Sequence, residues 1–146
     1  MKLSTKGRYG VKAMLDLALH SEEGHVSLKS IAERQGLSEN YLEQLFAALK
    51  KAKLINSLRG AQGGYSLAAE PTAISIGAIL RALEGSLAPV DCAHKDGGEG
   101  CCKADECVTK FIWDKISESI NNVVDSMTLN DLIQEHDKIA HANTFS

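Results

Sequence analysis

The chain has 146 residues, 44% of them hydrophobic and 24% charged, which is ordinary for one folded domain and short for two. No apolar run approaches the roughly 18 residues that span a bilayer, and the N-terminus lacks the apolar stretch of a signal peptide. Membrane, secreted, fibrous and disordered classes are therefore excluded, and a cytoplasmic protein is expected. The two prolines and an aromatic content of 5% favour a mainly α fold.

The charge is unevenly distributed, although the net charge is only −3. Residues 1–65 carry 10 Lys or Arg against 6 Asp or Glu, whereas residues 66–146 carry 6 against 13. A basic first half suits contact with a polyanion, so the two halves are expected to have different tasks.

The first half predicts three helices. Apolar residues at helical spacing predict a helix over residues 6–20. Ser27 is the predicted N-cap of a short second helix that ends before Gly36, and Ser38 is the predicted N-cap of a third helix over 39–51. This arrangement has the dimensions of a helix-turn-helix, whose second helix would enter the major groove of DNA.

A hairpin is predicted next, with strands over 54–58 and 65–68. The turn between them, Arg59-Gly60-Ala61-Gln62-Gly63-Gly64, is rich in glycine. A helix-turn-helix followed by a hairpin is a winged helix. Its glycines would let the backbone approach a phosphate or a groove, and Arg59 could lie in a minor groove. The alternative is an ordinary solvent-exposed hairpin.

The second half predicts a helix over 76–84, capped by Ser75, and then an irregular segment. A longer helix over 107–126 follows, and a capping box at Thr128–Asp131 opens a short final helix with a frayed tail after about residue 139. The predicted organisation is a winged-helix DNA-binding region at 1–85, a cysteine-bearing loop at 86–106, and a dimerisation helix, final short helix and tail at 107–146.

The helix over 107–126 has an apolar stripe larger than a winged helix of this size needs. A homodimer seam is therefore predicted, since DNA-binding proteins of this type commonly bind palindromic half-sites as twofold dimers. The alternative is packing against helices of its own chain. The stripe consists of Val108, Ile112, Ile116, Ile120 and Val123.

The four cysteines, Cys92, Cys101, Cys102 and Cys107, all fall in one short segment. Because the cytosol is reducing, metal binding or redox chemistry is favoured over disulfides. Thiolates are the usual ligands of iron–sulfur clusters. The alternatives are a tetrahedral zinc site, a thiol redox sensor and an unoccupied loop. Adjacent Cys101-Cys102 departs from the paired Cys-x-x-Cys knuckles of zinc sites.

Several motifs in order resemble the IscR/NsrR/CymR family of winged-helix bacterial regulators, over about residues 1–135. They are Lys6-Gly7-Arg8-Tyr9-Gly10, Ala13-Met14-Leu15-Asp16, Ser30-Ile31-Ala32-Glu33-Arg34, Tyr41-Leu42-Glu43-Gln44-Leu45 and Arg59-Gly60-Ala61-Gln62-Gly63-Gly64-Tyr65. In this family, IscR-like members bind a [2Fe–2S] cluster and regulate cluster assembly genes. NsrR-like members sense nitric oxide through a cluster, and CymR-like members control cysteine metabolism without one.

The resemblance implies double-stranded DNA as a partner, contacted through the start of the third helix, the wing and the N-terminus. Amides and hydroxyls there would meet bases and phosphates, and Glu43 would accept from cytosine N4. Arg59 would take the minor groove. The implied contact residues are Lys2, Thr5, Lys6, Ser38, Asn40, Tyr41, Glu43, Gln44, Arg59 and Gly60.

The resemblance also implies cluster ligands. Cys92, Cys101 and Cys107 match the three family cysteines, with the five-residue gap between the last two. Lys110 stands where the family has a histidine ligand, and an ammonium group is not a normal ligand. Arg8 replaces the acidic ligand of NsrR-like members, which argues against that subtype. For the fourth ligand Cys102 is the simplest candidate, with Asp91, His94, Asp105 and Glu106 as alternatives.

The sequence therefore predicts a transcriptional regulator that senses iron–sulfur or redox status. No arrangement of residues suggests catalysis, so an enzyme is not expected. The runner-up is a cofactor-free, CymR-like repressor controlled by a protein partner. A zinc or redox protein without DNA binding is a further alternative.

Overall fold

The computed structural model describes residues 3–61, 63–89 and 108–144. Within these ranges the chain forms a two-stranded antiparallel sheet and six α-helices, which confirms the mainly α winged-helix prediction. None of these helices is long and apolar enough to cross a membrane. The elements are α1 (Thr5–His20), α2 (Leu28–Gln35), α3 (Glu39–Lys51), β1 (Ile55–Leu58), β2 (Gly64–Leu67), α4 (Ile76–Glu84), α5 (Lys110–Ser126) and α6 (Leu129–Thr144).

Side-chain caps lie at the start of most of the described helices, α5 being an exception. The hydroxyls of Ser27, Ser38 and Ser75 each accept a hydrogen bond from a backbone N–H in the first turn of the following helix. At α6 the cap is reciprocal, since Asp131 N donates to Thr128 Oγ1 at 3.3 Å and Thr128 N donates to Asp131 Oδ2 at 2.9 Å. These contacts satisfy N–H groups that have no partner within a helix. The predicted caps and capping box are confirmed.

Helix α1 lies at the centre of the core. Its Met14 and Leu17 are fully buried, as are side chains from α2, α3, α4 and α6. Apolar burial of this kind supplies most of the stability of a small domain. The largest fully buried side chains are Phe46, Met14, Leu17, Ile31, Leu42, Leu49, Ile55, Ile79 and Leu129.

The wing is a hairpin in which Ile55 pairs with Leu67 and Leu58 with Gly64. A residue preceding α2 extends it, because Val26 N donates to Tyr65 O at 2.9 Å and Tyr65 N donates to Val26 O at 2.8 Å. The rings of Tyr65 and Phe46 meet edge to face with centroids 4.8 Å apart. The wing is therefore fastened to the segment that precedes α2 and to α3.

The C-terminal end differs from the sequence prediction. Helix α6 continues to Thr144, so the prediction of a short final helix with a frayed tail after 139 was wrong. Residues 139–144 contain two alanines and neither glycine nor proline, so helix propensity extends the helix. Residues 85–89 lack regular structure, and the rest of the predicted irregular segment lies outside the described residues.

Candidate nucleic-acid interface

Several exposed polar residues of α3 lie in the half of the helix nearer its N-terminus. Leu42, Leu45, Phe46 and Leu49 are buried on its inner face, as predicted. Asn40, Glu43 and Gln44 are exposed. The helix therefore presents amide and carboxylate groups to solvent where a recognition helix contacts base edges.

Tyr41 and Ser38 have structural roles at the same end of α3. Ser38 Oγ accepts from Tyr41 N at 3.1 Å and so caps the helix. Tyr41 is half-buried, its ring stands edge-on to Tyr9, and its hydroxyl donates to Thr5 Oγ1 at 3.4 Å. Tyr41 therefore joins the recognition helix to the N-terminus of α1.

The wing turn exposes Arg59 and Gly60. Gly60 has a φ of 118° with open space around it, a conformation that favours glycine. A Cβ at Gly63 would lie 2.1 Å from the carbonyl oxygen of Leu58, and one at Gly64 would lie 2.4 Å from that of Val26. Gly63 and Gly64 are thus required for close contacts within the chain. Of these three glycines, only Gly60 fits the expected close approach of the backbone to nucleic acid.

Thr5 and Lys6 are exposed in the first turn of α1, whereas Lys2 lies outside the described residues. Glu84, at the end of α4, holds this turn in place. Its Oε1 accepts from Ser4 N at 3.0 Å, from Gly7 N at 2.8 Å and from the Ser4 hydroxyl. The hydrogen bond from the Ser4 hydroxyl and those from the two backbone amides hold the pKa of Glu84 below its ordinary value, and together they outweigh the opposing effect of burial.

A buried acidic residue joins α1 to α2. Asp16, only 4% exposed, accepts from Arg34 Nη2 at 2.7 Å, from Arg34 Nε and from Gln35 Nε2. Burial by itself would raise the pKa of Asp16, but the hydrogen bonds from Arg34 and Gln35 and the Arg34 charge outweigh it, so the pKa is lowered. The sequence feature that points to such a buried, paired carboxylate is an aspartate on the apolar face of α1.

The predicted cluster ligands lie outside the described residues, namely Cys92, Cys101, Cys102 and Cys107 with the alternatives Asp91, His94, Asp105 and Glu106. Lys110, at the family's histidine position, donates to Asp114 Oδ2 at 2.6 Å within α5. In the described ranges no three His, Cys, Asp or Glu side chains are grouped to hold a metal ion.

The two helices that flank the cysteine segment in the chain are tied together. Arg81 of α4 donates to Asp125 Oδ1 at 2.7 Å and to Asn121 Oδ1 at 2.6 Å, both on α5. A Cβ at Gly77 would lie 2.1 Å from Asp125 Oδ1, so this glycine leaves room for the ion pair.

The predicted apolar stripe, which runs from Val108 just before α5 to Val123 within it, is divided between the core and solvent. Ile120 packs against the core of its own chain, as the alternative interpretation expected for the whole helix. The other four stripe residues are exposed, Val108 by 87%, Ile112 by 49%, Ile116 by 39% and Val123 by 56%. Exposed apolar side chains on one helix face are typical of interaction surfaces.

Fold and surface together define a winged-helix DNA-binding protein. A family model described as "Rrf2: Iron-dependent Transcriptional regulator" matches residues 3–135. The chain belongs to the Rrf2 family of transcriptional regulators.

Several relatives carry the name HTH-type transcriptional regulator IscR. The one from Yersinia enterocolitica is 46% identical over 137 residues, which are 94% of this chain and 82% of the relative. The one from Serratia proteamaculans is 45% identical, over 98% of this chain and 85% of the relative. The predicted family is confirmed, and the chain is a DNA-binding regulator of the IscR type rather than an enzyme.

Solved structures of regulators are similar to this chain in fold. The T. potens IscR structure has a TM-score of 0.75 at 54% identity, covering 95% of this chain and 90% of that one. CymR, the global cysteine regulator of B. subtilis, has a TM-score of 0.74 at 45% identity, covering 92% and 98%. The fold is therefore shared by a regulator named IscR and one named CymR, which represent the first prediction and its runner-up.

Proposed function

We propose that the protein is a homodimeric regulator that binds a palindromic operator and responds to iron–sulfur status through a [2Fe–2S] cluster, acting in the cytoplasm. The observation that carries the DNA-binding part is the exposed polar end of α3 beside Thr5 of α1. The family membership and the four clustered thiols support the sensing part.

The proposed DNA contacts follow from exposure and chemistry. Asn40 and Gln44 suit base edges, and Gln44 can pair bidentately with adenine. Glu43 accepts from cytosine N4, so it favours sequence choice over affinity, because its charge is repelled by phosphate. Arg59, beside Gly60, suits a narrow minor groove. The proposed contacts to phosphates, or to sugars and bases nearby, are Lys2, Thr5, Lys6, Ser38 and Tyr41.

The donor set fits the proposed cofactor, because four thiols in one short segment match the ligands that iron–sulfur clusters take. Cys92, Cys101 and Cys107 would hold it. Lys110 is paired with Asp114 and would not be a ligand. Cys102 is the simplest candidate for the fourth ligand, with Asp91, His94, Asp105 and Glu106 as alternatives. When bound, the cluster supplies a redox-active centre.

The proposed dimer uses the exposed apolar face of α5. Ile112, Ile116 and Val123 lie on one face of the helix, at spacings of four and seven residues. A twofold partner would bury this face and would place two recognition helices on the two half-sites of a palindrome.

The DNA-binding proposal is tested with Gln44→Ala and Arg59→Ala on an operator duplex recovered by selection from a random pool. Each substitution is expected to weaken specific binding by about 1–3 kcal/mol, the usual discrimination of one good base contact. Binding to a mixed-sequence duplex should change less for Gln44→Ala. Glu118→Ala on α5 is the control, and unchanged affinity for both test variants would contradict the proposed surface.

The cofactor proposal is tested by anaerobic purification, visible absorption, and iron, sulfide and zinc assays. We expect a coloured protein with equal iron and sulfide, and loss of colour in Cys92→Ala, Cys101→Ala and Cys107→Ala. A colourless protein that resists reconstitution would favour the second candidate, a CymR-like repressor controlled by a protein partner. The likeness to the CymR structure is what supports that candidate.

A further inference from the structure

Glu84 makes a contact between two elements that are remote in sequence. It is the last residue of α4, and its Oε1 accepts three hydrogen bonds from residues of the N-terminal turn of α1. The N–H groups at a helix start lack partners within the helix and carry partial positive charge. A carboxylate is therefore well suited to hold this turn.

The packing of α1 on α4 is built around this contact. A Cβ at Gly7 would lie 2.8 Å from Glu84 Oε1, and a Cβ at Gly10 would lie 2.0 Å from Leu83 Cδ1. Both glycines are buried. Their lack of a side chain lets the two helices approach closely enough for the carboxylate to reach the Gly7 amide.

The turn held by Glu84 carries exposed residues of the proposed DNA surface. Thr5 and Lys6 lie between Ser4 and Gly7, the two residues whose N–H groups donate to Glu84. On its other side the same turn contacts the recognition helix, through Tyr41 and Thr5. The first turn of α1 is thus fixed between α4 and α3.

We propose that Glu84 is a positioning residue for DNA binding, which supports the Ser4 N-cap of α1 and holds Thr5 and Lys6 where they meet the phosphate backbone. This inference rests on the proposed contacts of Thr5 and Lys6. The direction in which DNA affinity changes when Glu84 is replaced separates this role from simple electrostatic repulsion. A carboxylate near phosphates repels them, so removing its charge alone would strengthen DNA binding. Removing this support should instead weaken binding, because the turn that carries Lys6 is no longer fixed to α4.

The test compares Glu84→Ala, Glu84→Gln and Glu84→Asp in the same anaerobic preparation, on the selected operator duplex over a range of salt concentrations. Glu84→Ala is expected to bind about tenfold more weakly, with a salt slope shallower by about 2 per dimer, since one cationic phosphate contact is lost in each half-site. Glu84→Gln keeps the Oε1 acceptor without the charge, so wild-type or tighter binding with the wild-type slope is expected. Glu84→Asp keeps the charge but shortens the side chain, so binding should weaken.

The matched control is Asp131→Ala, which removes a carboxylate cap from α6, away from the proposed surface. It should lower thermal stability without altering DNA affinity or salt slope. Tighter binding of Glu84→Ala, or an unchanged slope, would overturn the inference. If Glu84→Ala does not fold, Glu84→Asp decides by the same two readouts. Lys6→Ala tests the proposed phosphate contact separately from the positioning role of Glu84. An unchanged DNA affinity of this variant would refute the contact of Lys6 itself.

Discussion

At the scale of single residues, Asp16 shows how the chain accommodates a buried charge. The carboxylate is almost fully buried on α1, but three N–H groups of Arg34 and Gln35 point at its oxygens. His20 adds a further contact, with Nδ1 2.9 Å from the Asp16 carbonyl oxygen. The two helices are therefore held together by an acidic residue that would be costly to bury without these partners.

Asp16→Asn is expected to lower the free energy of unfolding by about 1–3 kcal/mol near neutral pH, because donors of Arg34 and Gln35 lose a charged acceptor. Since folding lowers the pKa of Asp16, its stabilising effect is present above the ordinary aspartate pKa and disappears as the pH falls through the lower folded value. Urea unfolding at a series of pH values between about 2 and 7, a range that includes the titration of aspartates, gives the free energy of unfolding against pH. The curves of the wild type and the Asp16→Asn variant should converge in acid. The exposed Glu33→Gln is the control. A constant difference between the curves at every pH would contradict this account.

At the scale of elements, the wing is held by backbone contacts that need glycine. Gly64 begins β2, and its Cα lies so close to the Val26 carbonyl that a methyl group does not fit. The neighbouring pair of hydrogen bonds between Val26 and Tyr65 anchors the hairpin beside α2. Gly64 pairs with Leu58 at the turn end of the hairpin, so the orientation of the adjacent Arg59 depends on this glycine.

Gly64→Ala is expected to destabilise the protein by about 1–3 kcal/mol, the usual cost of overpacking a tight site. Because the strain falls on the bridge, amide hydrogen exchange at Val26 and Tyr65 should accelerate more than exchange in α1. Asn56→Ala, at an exposed position of β1, serves as the comparison and should leave these amides protected. Unaltered exchange in Gly64→Ala would show that the bridge does not depend on this glycine.

At the scale of the whole molecule, α5 is incompletely covered by its own chain. One side is fixed to α4 through Arg81 and Asp125 and to the core through Ile120 and Val124. Ile112, Ile116 and Val123 remain exposed on another side. Leaving such a face in water is unfavourable, which supports the proposed twofold dimer.

Ile112→Lys is expected to raise the dimer dissociation constant by about 100-fold, because twofold symmetry would bury two unpaired ammonium groups. Sedimentation equilibrium measures this directly, and binding to a palindromic duplex should weaken in parallel. Asn122→Lys introduces the same side chain at an exposed polar position of α5 and should stay dimeric. A dimeric Ile112→Lys protein would place the interface elsewhere.

Much of the fold follows from local sequence. The helices capped by Ser27, Ser38 and Ser75 begin where predicted, because an N-cap and its partner N–H are within three residues of one another. The strands were predicted within one residue for the same reason, since alternation and turn glycines are local signals. The C-terminal end of α6 was missed because the change from helix to tail has no punctuating residue.

By itself the sequence determined the winged-helix class, the capped recognition helix with its polar end, and the set of thiols, because each depends on residue types at short spacing. Only the tertiary structure decided that Glu84 holds the first turn of α1, that Asp16 pairs with Arg34, and that Gly63 and Gly64 are required inside the chain. These contacts join residues far apart in sequence, and Glu84 and Ser4 are 80 positions apart. No local pattern encodes such a pair, since it exists only when packing of the core brings the two helices together.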